Sequence, residues 1–228
     1  LVPFGPGVCE RLGIGPDCCL ARNPRVIFAR RTGWGQTGPL ARAAGQDISC
    51  SSLTGAVLAT GRRDQKPVPP LSLVGDMGGG GMLLVNGILA ALLESNQSGR
   101  GQVIDVAMVD GAAQLMWMMH GFEALGAWNA EQRESNMLDG AAHFYDTYEC
   151  ACGGYVSIGS IEPQFYALLL ELTGVDPEMF RDQHQQDQWP VMKAALAEVF
   201  RSKTRDQWCQ IMEASDVCFA PVLSFTEA

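Results

Sequence analysis

"KPVPPLSLVGDMGGGGMLLVNGILAALLES", residues 66–95, is the stretch from which the fold is read. Pro67, Pro69 and Pro70 keep the chain extended, because a residue that precedes proline is pushed out of the helical region. Residues 71–75 then read as a brief extended approach, Asp76 as a turn beside four glycines, and residues 82–95 as a buried helix. "SGRGQ" (98–102) turns the chain into "QVIDVAMVDG" (102–111), a strand that passes into a helix around residues 112–125. Strand and helix alternating in this way imply an α/β fold with a partly parallel sheet.

Upstream, the first forty residues read as loop-rich with one strand, "RVIFAR" (25–30), which runs into the glycine-rich "TGWGQTGP" (32–39). Trp34 between two glycines fits either a ligand-edge loop or a packed turn. Downstream, the polar residues 129–140 read as a connector. "HFYDTYECACGGYVSIGS" (143–160) then reads as a hairpin turning at Gly153 and Gly154. Helices over 163–173, 189–201 and 204–214 and a last strand at 218–223 complete a small α+β domain over 141–228, after a larger α/β domain over 1–128.

The 228 residues are 47% hydrophobic, enough to bury a sizeable core. A net charge of -9 without a run of Lys or Arg excludes a nucleic-acid binder, although a local basic group still suits an anionic ligand. The eight cysteines lack zinc-knuckle spacing and several have apolar neighbours, so they read as reduced thiols with no metal site, in an intracellular, cytoplasmic protein. No signal peptide is visible, and the longest apolar run, 82–93, is interrupted by Asn86 and reads as too short to span a bilayer. The ends, "LVPFGPG" and "SFTEA", read as those of a segment of something longer, which leaves an organelle open.

Asp76 and Glu162 are the candidate chemical groups. Asp76 lies between an apolar stretch and a glycine run, where backbone N–H groups are unshielded and a ligand can come close. Glu162 stands just before a helix that opens on Pro163. Either acid suits a helix start as well as a site. His143, in "DGAAHFYD", is the one histidine read as a site candidate; His120 reads as packed or at a rim, and His184 as solvated.

Taken together, "PGVCERLGIGP", "RTGWGQTGP", "GQDISCSSLTG", "PVPPLSLVGDMGGGGM", "GQVIDVAMVDG", "MLDGAAHFYDTYECACGGY" and "SIEPQFY" resemble the family III CoA-transferases and, within them, the α-methylacyl-CoA racemases. The resemblance runs nearly end to end. It implies a Rossmann-like large domain, incomplete here, plus a small α+β domain, in an interlocked homodimer that uses neither membrane nor nucleic acid. It also implies a 2-methyl-branched acyl-CoA substrate whose α-carbon is inverted through an enolate, with no cofactor beyond the coenzyme A of the substrate. Asp76 would be one acid/base group, with its backbone stabilising the enolate oxygen. The opposite group would be a His oriented by Glu162. Arg11 would contact the CoA portion, while Gly45, Asp47, Ile48, Ser49, Cys50, Gly75 and Met77 would line the substrate site.

This sequence departs from the pattern twice. Gln46 stands where the racemases read Gly-His-Asp, so one of two proton carriers is replaced by an amide that does not titrate. Gly5 stands where the family commonly has Arg. An impaired racemase, a CoA-transferase with Asp76 as nucleophile, and a non-catalytic acyl-CoA binder are the three readings that follow.

Overall fold

The tetraglycine run is not a turn: in the computed structural model, which describes every residue except Leu1 and Pro3, residues Leu73–Met82 form a π-helix. The physical reason lies in what a side chain would meet. A Cβ at Gly78, Gly79, Gly80 or Gly81 would lie 3.0, 3.0, 2.9 or 3.4 Å from the carbonyl oxygen five residues earlier. Four glycines clear that crowding, and Met77 N–H closes the first wide turn on Ser72 O at 3.2 Å. Leu71 and Ser72, both non-glycine, enter it with φ of 54° and 60°, a costly left-handed pair.

The chain forms two compact units. The first comprises Leu1–Thr60 and Lys66–Ala130. Its elements are α1 (Val8–Arg11), α2 (Pro16–Arg22), β1 (Phe28–Thr32), α3 (Asp47–Leu53), α4 (Ala56–Ala59), the π-helix, α5 (Leu83–Ser98), β2 (Val103–Ala107), α6 (Met108–Leu115) and α7 (Trp117–Ala124). β1 and β2 pair in parallel, from Phe28 opposite Val103 to Thr32 opposite Ala107, as the α/β reading expects. Gly87 brings α5 onto β2, since a Cβ there would meet Ile104 at 2.9 Å.

Several expectations for this unit are corrected. The first forty residues contain two short helices, and β1 begins at Phe28 rather than Arg25. The helix expected over 112–125 is two helices, interrupted at Met116, where ψ opens to 3°. α5 is largely exposed rather than buried, with Val85, Leu89 and Leu93 about half open or more. The π-helix continues into α5, so Leu73–Ser98 is long and apolar enough, by length and composition alone, to cross a membrane.

The second unit comprises Gly61–Gln65 and Glu131–Ala228. Here β3 (Tyr145–Glu149), β4 (Tyr155–Gly159) and β5 (Phe219–Val222) form an antiparallel sheet in the order β3-β4-β5. Against it pack α8 (Pro163–Thr173), α9 (Trp189–Arg201) and α10 (Arg205–Met212), around a core that includes Phe144, Leu169, Leu196, Phe200 and Trp208. Thr204 and Gln207 form a reciprocal capping box on α10. Residues 131–140, expected to be a connector, are tied into this unit: Glu134 accepts from Arg62 Nη1 at 2.9 Å and from Lys193 Nζ at 3.0 Å. Arg62 is held in turn by Asp146 at 2.7 Å. All eight cysteines are free thiols, and no group of metal-ligating side chains occurs among the described residues.

Candidate functional site

Asp76 sits in the first turn of the π-helix, where the opening N–H groups have no partner within the helix. The missing acceptor comes from α3. Asp47 Oδ2 receives the Gly75 N–H at 2.6 Å and the Asp76 N–H at 2.7 Å, and Ser51 Oγ donates to Oδ1 at 3.3 Å. With only 4% of its surface exposed, Asp47 is compensated by these donors and acts as a cap supplied from a neighbouring helix. Gly75 has to be glycine for this approach, because a Cβ there would lie 2.9 Å from Asp47 Oδ2.

Two further contacts fix the turn. Gly79 lies against Gly111 of α6, so close that a Cβ on Gly111 would fall 2.0 Å from Gly79 O. On the strand side, Arg31 Nη1 donates to the Asp76 carbonyl at 2.9 Å and lies 3.6 Å from Asp76 Oδ1. The Asp76 carboxylate is partly open to solvent. Its backbone N–H, which the resemblance assigns to the enolate oxygen, is already donated to Asp47.

Gln46 is the N-cap residue of α3, and its carbonyl accepts from Ser49 N at 3.0 Å and Cys50 N at 3.1 Å. Its exposed side chain makes no capping bond. The loop before it is clamped: Trp34 Nε1 donates to Ala44 O at 3.3 Å, and a Cβ on Gly45 would meet that nitrogen at 2.7 Å. Trp34 is therefore packed against this loop. Ile48 is exposed, Ser49 half-buried, and Met77 projects to solvent one residue beyond Asp76. Cys50 is fully buried and donates its thiol to Gly33 O at 3.3 Å. Burial above all, then Asp47 and Asp76, pushes that thiol up, which keeps it protonated and disqualifies it as a nucleophile.

The structure thus joins Gln46, Asp47, Cys50, Gly75, Asp76 and Met77 at one α3–π-helix junction. Arg11 is placed elsewhere in the unit, in a cleft of about 500 Å³ shared with Gln36, Thr37 and Arg42. Neither guanidinium there has an ion-pair partner among the described residues, which suits an anionic group. Gly5 borders a smaller cavity of about 210 Å³ with Gly33, Trp34 and Gly45.

Glu162 belongs to the second unit, as the exposed N-cap of α8, its carbonyl accepting from Tyr166 N at 2.9 Å. Its carboxylate has no hydrogen bond among the described residues. His143 is corrected from site candidate to core residue: it has no exposed surface and is ringed by Phe144, Tyr166 and Phe180. Tyr166 Oη donates to Phe180 O at 2.9 Å, so at 2.7 Å it accepts from His143 Nε2–H, and Nδ1 has no hydrogen-bond partner among the described residues. Burial, with a minor contribution from His184, lowers the imidazole to about 4.

The sequence reading missed Arg31, which resembles an ordinary charged strand end, and the capping role of Asp47. Two arginines, Arg30 and Arg31, follow the apolar run "VIFA", and nothing local singles out the second of them.

Residues 1–228 match the family model described as CoA-transferase family III. The chain is 46% identical over 228 residues to the alpha-methylacyl-CoA racemase of Mus musculus and 44% identical over 227 residues to that of Homo sapiens. These alignments cover 100% of this chain and 60% and 59% of the relatives. It is 30% identical to the acetyl-CoA:oxalate CoA-transferase of Acetobacter aceti, over 99% of this chain and 58% of that one. Among solved structures, Rv3272 from M. tuberculosis superposes with a TM-score of 0.76 at 26% identity, over 99% of this chain and 60% of that one. The chain spans about 60% of the length of the curated racemases it matches.

Proposed function

The chain belongs to CoA-transferase family III and has that family's fold, and from that premise we propose that the protein racemises 2-methyl-branched acyl-CoA thioesters, with Asp76 as proton carrier. The observation that carries this reading is the 46% identity to a racemase over the whole chain, against 30% to a CoA-transferase over nearly the same residues. In the same reading, Arg11 and Arg42 suit the phosphates of the CoA portion. The two units are part of the large domain and the small domain of a homodimer that is intracellular and not membrane-bound, and coenzyme A enters only as part of the substrate.

The chemistry follows from the carboxylate. Asp76 takes the α-proton, and the C–H electron pair moves onto the thioester oxygen as an enolate. Return of a proton from Asp76 restores the original configuration; inversion needs a donor on the other face. Gln46 has no proton to give at neutral pH, so exchange outpaces inversion. Glu162 then has no imidazole to orient.

Each epimer of a 2-methylacyl-CoA incubated in deuterated water tests the proposal. The expected result is α-deuterium incorporation into one epimer with its configuration retained, and a gain in racemisation on Gln46→His. Equal exchange in both epimers with full racemisation would overturn the one-sided mechanism, and no exchange with either protein would overturn the racemase assignment.

Gln46 itself favours a second reading, because a CoA-transferase has no use for a base there. Asp76 would attack the thioester carbonyl, expel the CoA thiolate and form an acyl-aspartyl anhydride. Hydroxylamine in the presence of acyl-CoA and an acceptor acid distinguishes the two: conversion of Asp76 to a hydroxamate supports transfer, and an unmodified Asp76 argues it down.

A further inference from the structure

We infer that Arg31 is a positioning residue for Asp76, holding the carboxylate in the orientation in which it reacts; this rests on the Asp76-centred reading above. Arg30 and Arg31 are adjacent in β1, and strand alternation sends them to opposite faces. Arg30 is accounted for by Glu10, at 3.1 Å, and Asp105, at 3.9 Å. Arg31 turns to the π-helix and, among the described residues, pairs with no acid other than Asp76.

One nitrogen of Arg31 reaches both functions of the same residue. Nη1 donates to the Asp76 carbonyl at 2.9 Å and lies 3.6 Å from Oδ1. Because Asp47 takes the Asp76 N–H at 2.7 Å, the peptide groups on both sides of the Asp76 Cα are fixed, and the guanidinium also constrains the side chain. Position 80 is fitted to this arrangement: a Cβ on Gly80 would lie 2.9 Å from Arg31 Cδ and 3.2 Å from Nη1, so the arginine crosses the helix where there is no side chain.

The magnitudes separate positioning from stability. Arg31 and Asp76 side chains are 32% and 25% exposed, so their attraction is screened and adds little to folding. A reacting carboxylate is far more sensitive, since a misplacement of about 1 Å costs on the order of 100-fold in rate. The rigid guanidinium plane holds Nη1 in fixed orientation toward both the carbonyl and the carboxylate, whereas a lysine ammonium rotates freely on a flexible stem.

The test compares Arg31→Leu, Arg31→Lys and, as a control for lost charge, Arg30→Gln, by α-proton exchange kinetics and by the carboxyl ¹³C resonance of Asp76 in aspartate-labelled protein. For Arg31→Leu we expect kcat for exchange to fall on the order of 100-fold, KM to change less than about twofold, the melting temperature to hold, and the Asp76 resonance to move. Arg31→Lys should recover part of kcat, and Arg30→Gln should leave both readouts unchanged. If Arg31→Leu exchanges at the parent rate with an unmoved Asp76 resonance, or if Arg30→Gln reproduces its effect, the inference is wrong. Absence of exchange in the parent protein would sink the racemase reading instead, and the Asp76 resonance would still decide for or against positioning.

Discussion

In the second unit large side chains are fully buried: Trp208, Phe144, Phe180 and Phe200 are all at or below 1% exposure. In the first unit the residues buried as fully are Cys50, Ser51 and Ala112. One unit is held by interdigitated rings, with Phe200 and Trp208 centroids 5.0 Å apart and Tyr148 stacked on Phe200 at 4.9 Å. The other is held by glycine-to-glycine backbone approach and by one buried carboxylate. The two should therefore fail differently, the ring-packed unit when atoms are removed and the glycine-packed unit when atoms are added.

The largest expected effect is Trp208→Ala. The indole is fully buried and its Nε1 donates to Phe200 O at 2.9 Å, so truncation leaves a cavity and an orphaned carbonyl. We expect a loss of about 3–5 kcal/mol, read as a lower urea midpoint at constant slope. A loss below about 1 kcal/mol would mean the aromatic core can collapse around the gap, and the contrast between the units would fail.

Next comes acid. His143 titrates near 6.5 when unfolded and about 4 when buried, so its contribution is complete above the unfolded value and is lost as pH falls from 6.5 to 4. The loss amounts to about 3 kcal/mol across that window. Urea midpoints measured from pH 7 to pH 4 should fall accordingly, and His143→Phe should flatten this part of the profile. An equally steep profile in the variant would place the acid sensitivity elsewhere.

Third is Gly79→Ala, which adds one methyl group. Its Cβ would lie 2.6 Å from Ala112 N and from Gly111 C, both backbone atoms that cannot rotate aside. Overpacking should cost about 2 kcal/mol and disturb the Asp76 turn. A neutral result would show that α6 can move away from the π-helix.

The same contrast explains what was legible in the sequence. The expected ends of the helices at 163–173 and 189–201 match α8 and α9, because each has a proline in its first turn and an amphipathic face. The hairpin turn at Gly153 was legible for a similar reason: φ is 76° there, a local demand met by a local residue. The π-helix was not legible. Glycines break helices by local rules, and their value here depends on a carbonyl five residues back and on Gly111, more than thirty residues away. Asp76 could be noticed by its position, but the partners that hold it, Asp47 and Arg31, come from other elements and carry no mark in their own surroundings. His143 misled for the opposite reason: its small neighbours suggested an open loop, while Tyr166 and Phe180, distant in sequence, close a core around it.

The smallest expected change in stability belongs to Gln46→His, and there the contrast is sharpest. Gln46 contributes its backbone carbonyl to the start of α3, which any residue supplies, while its exposed side chain caps nothing. Neither ring packing nor glycine spacing constrains it, so the substitution should change stability by less than about 0.5 kcal/mol. Its neighbours differ: a Cβ on Gly45 collides with Trp34, and Asp47 is committed to two N–H groups. A pronounced fall in the melting temperature of Gln46→His would mean that the amide has a structural partner. An unchanged melting temperature with increased racemisation would locate the consequence of Gln46 in proton transfer alone.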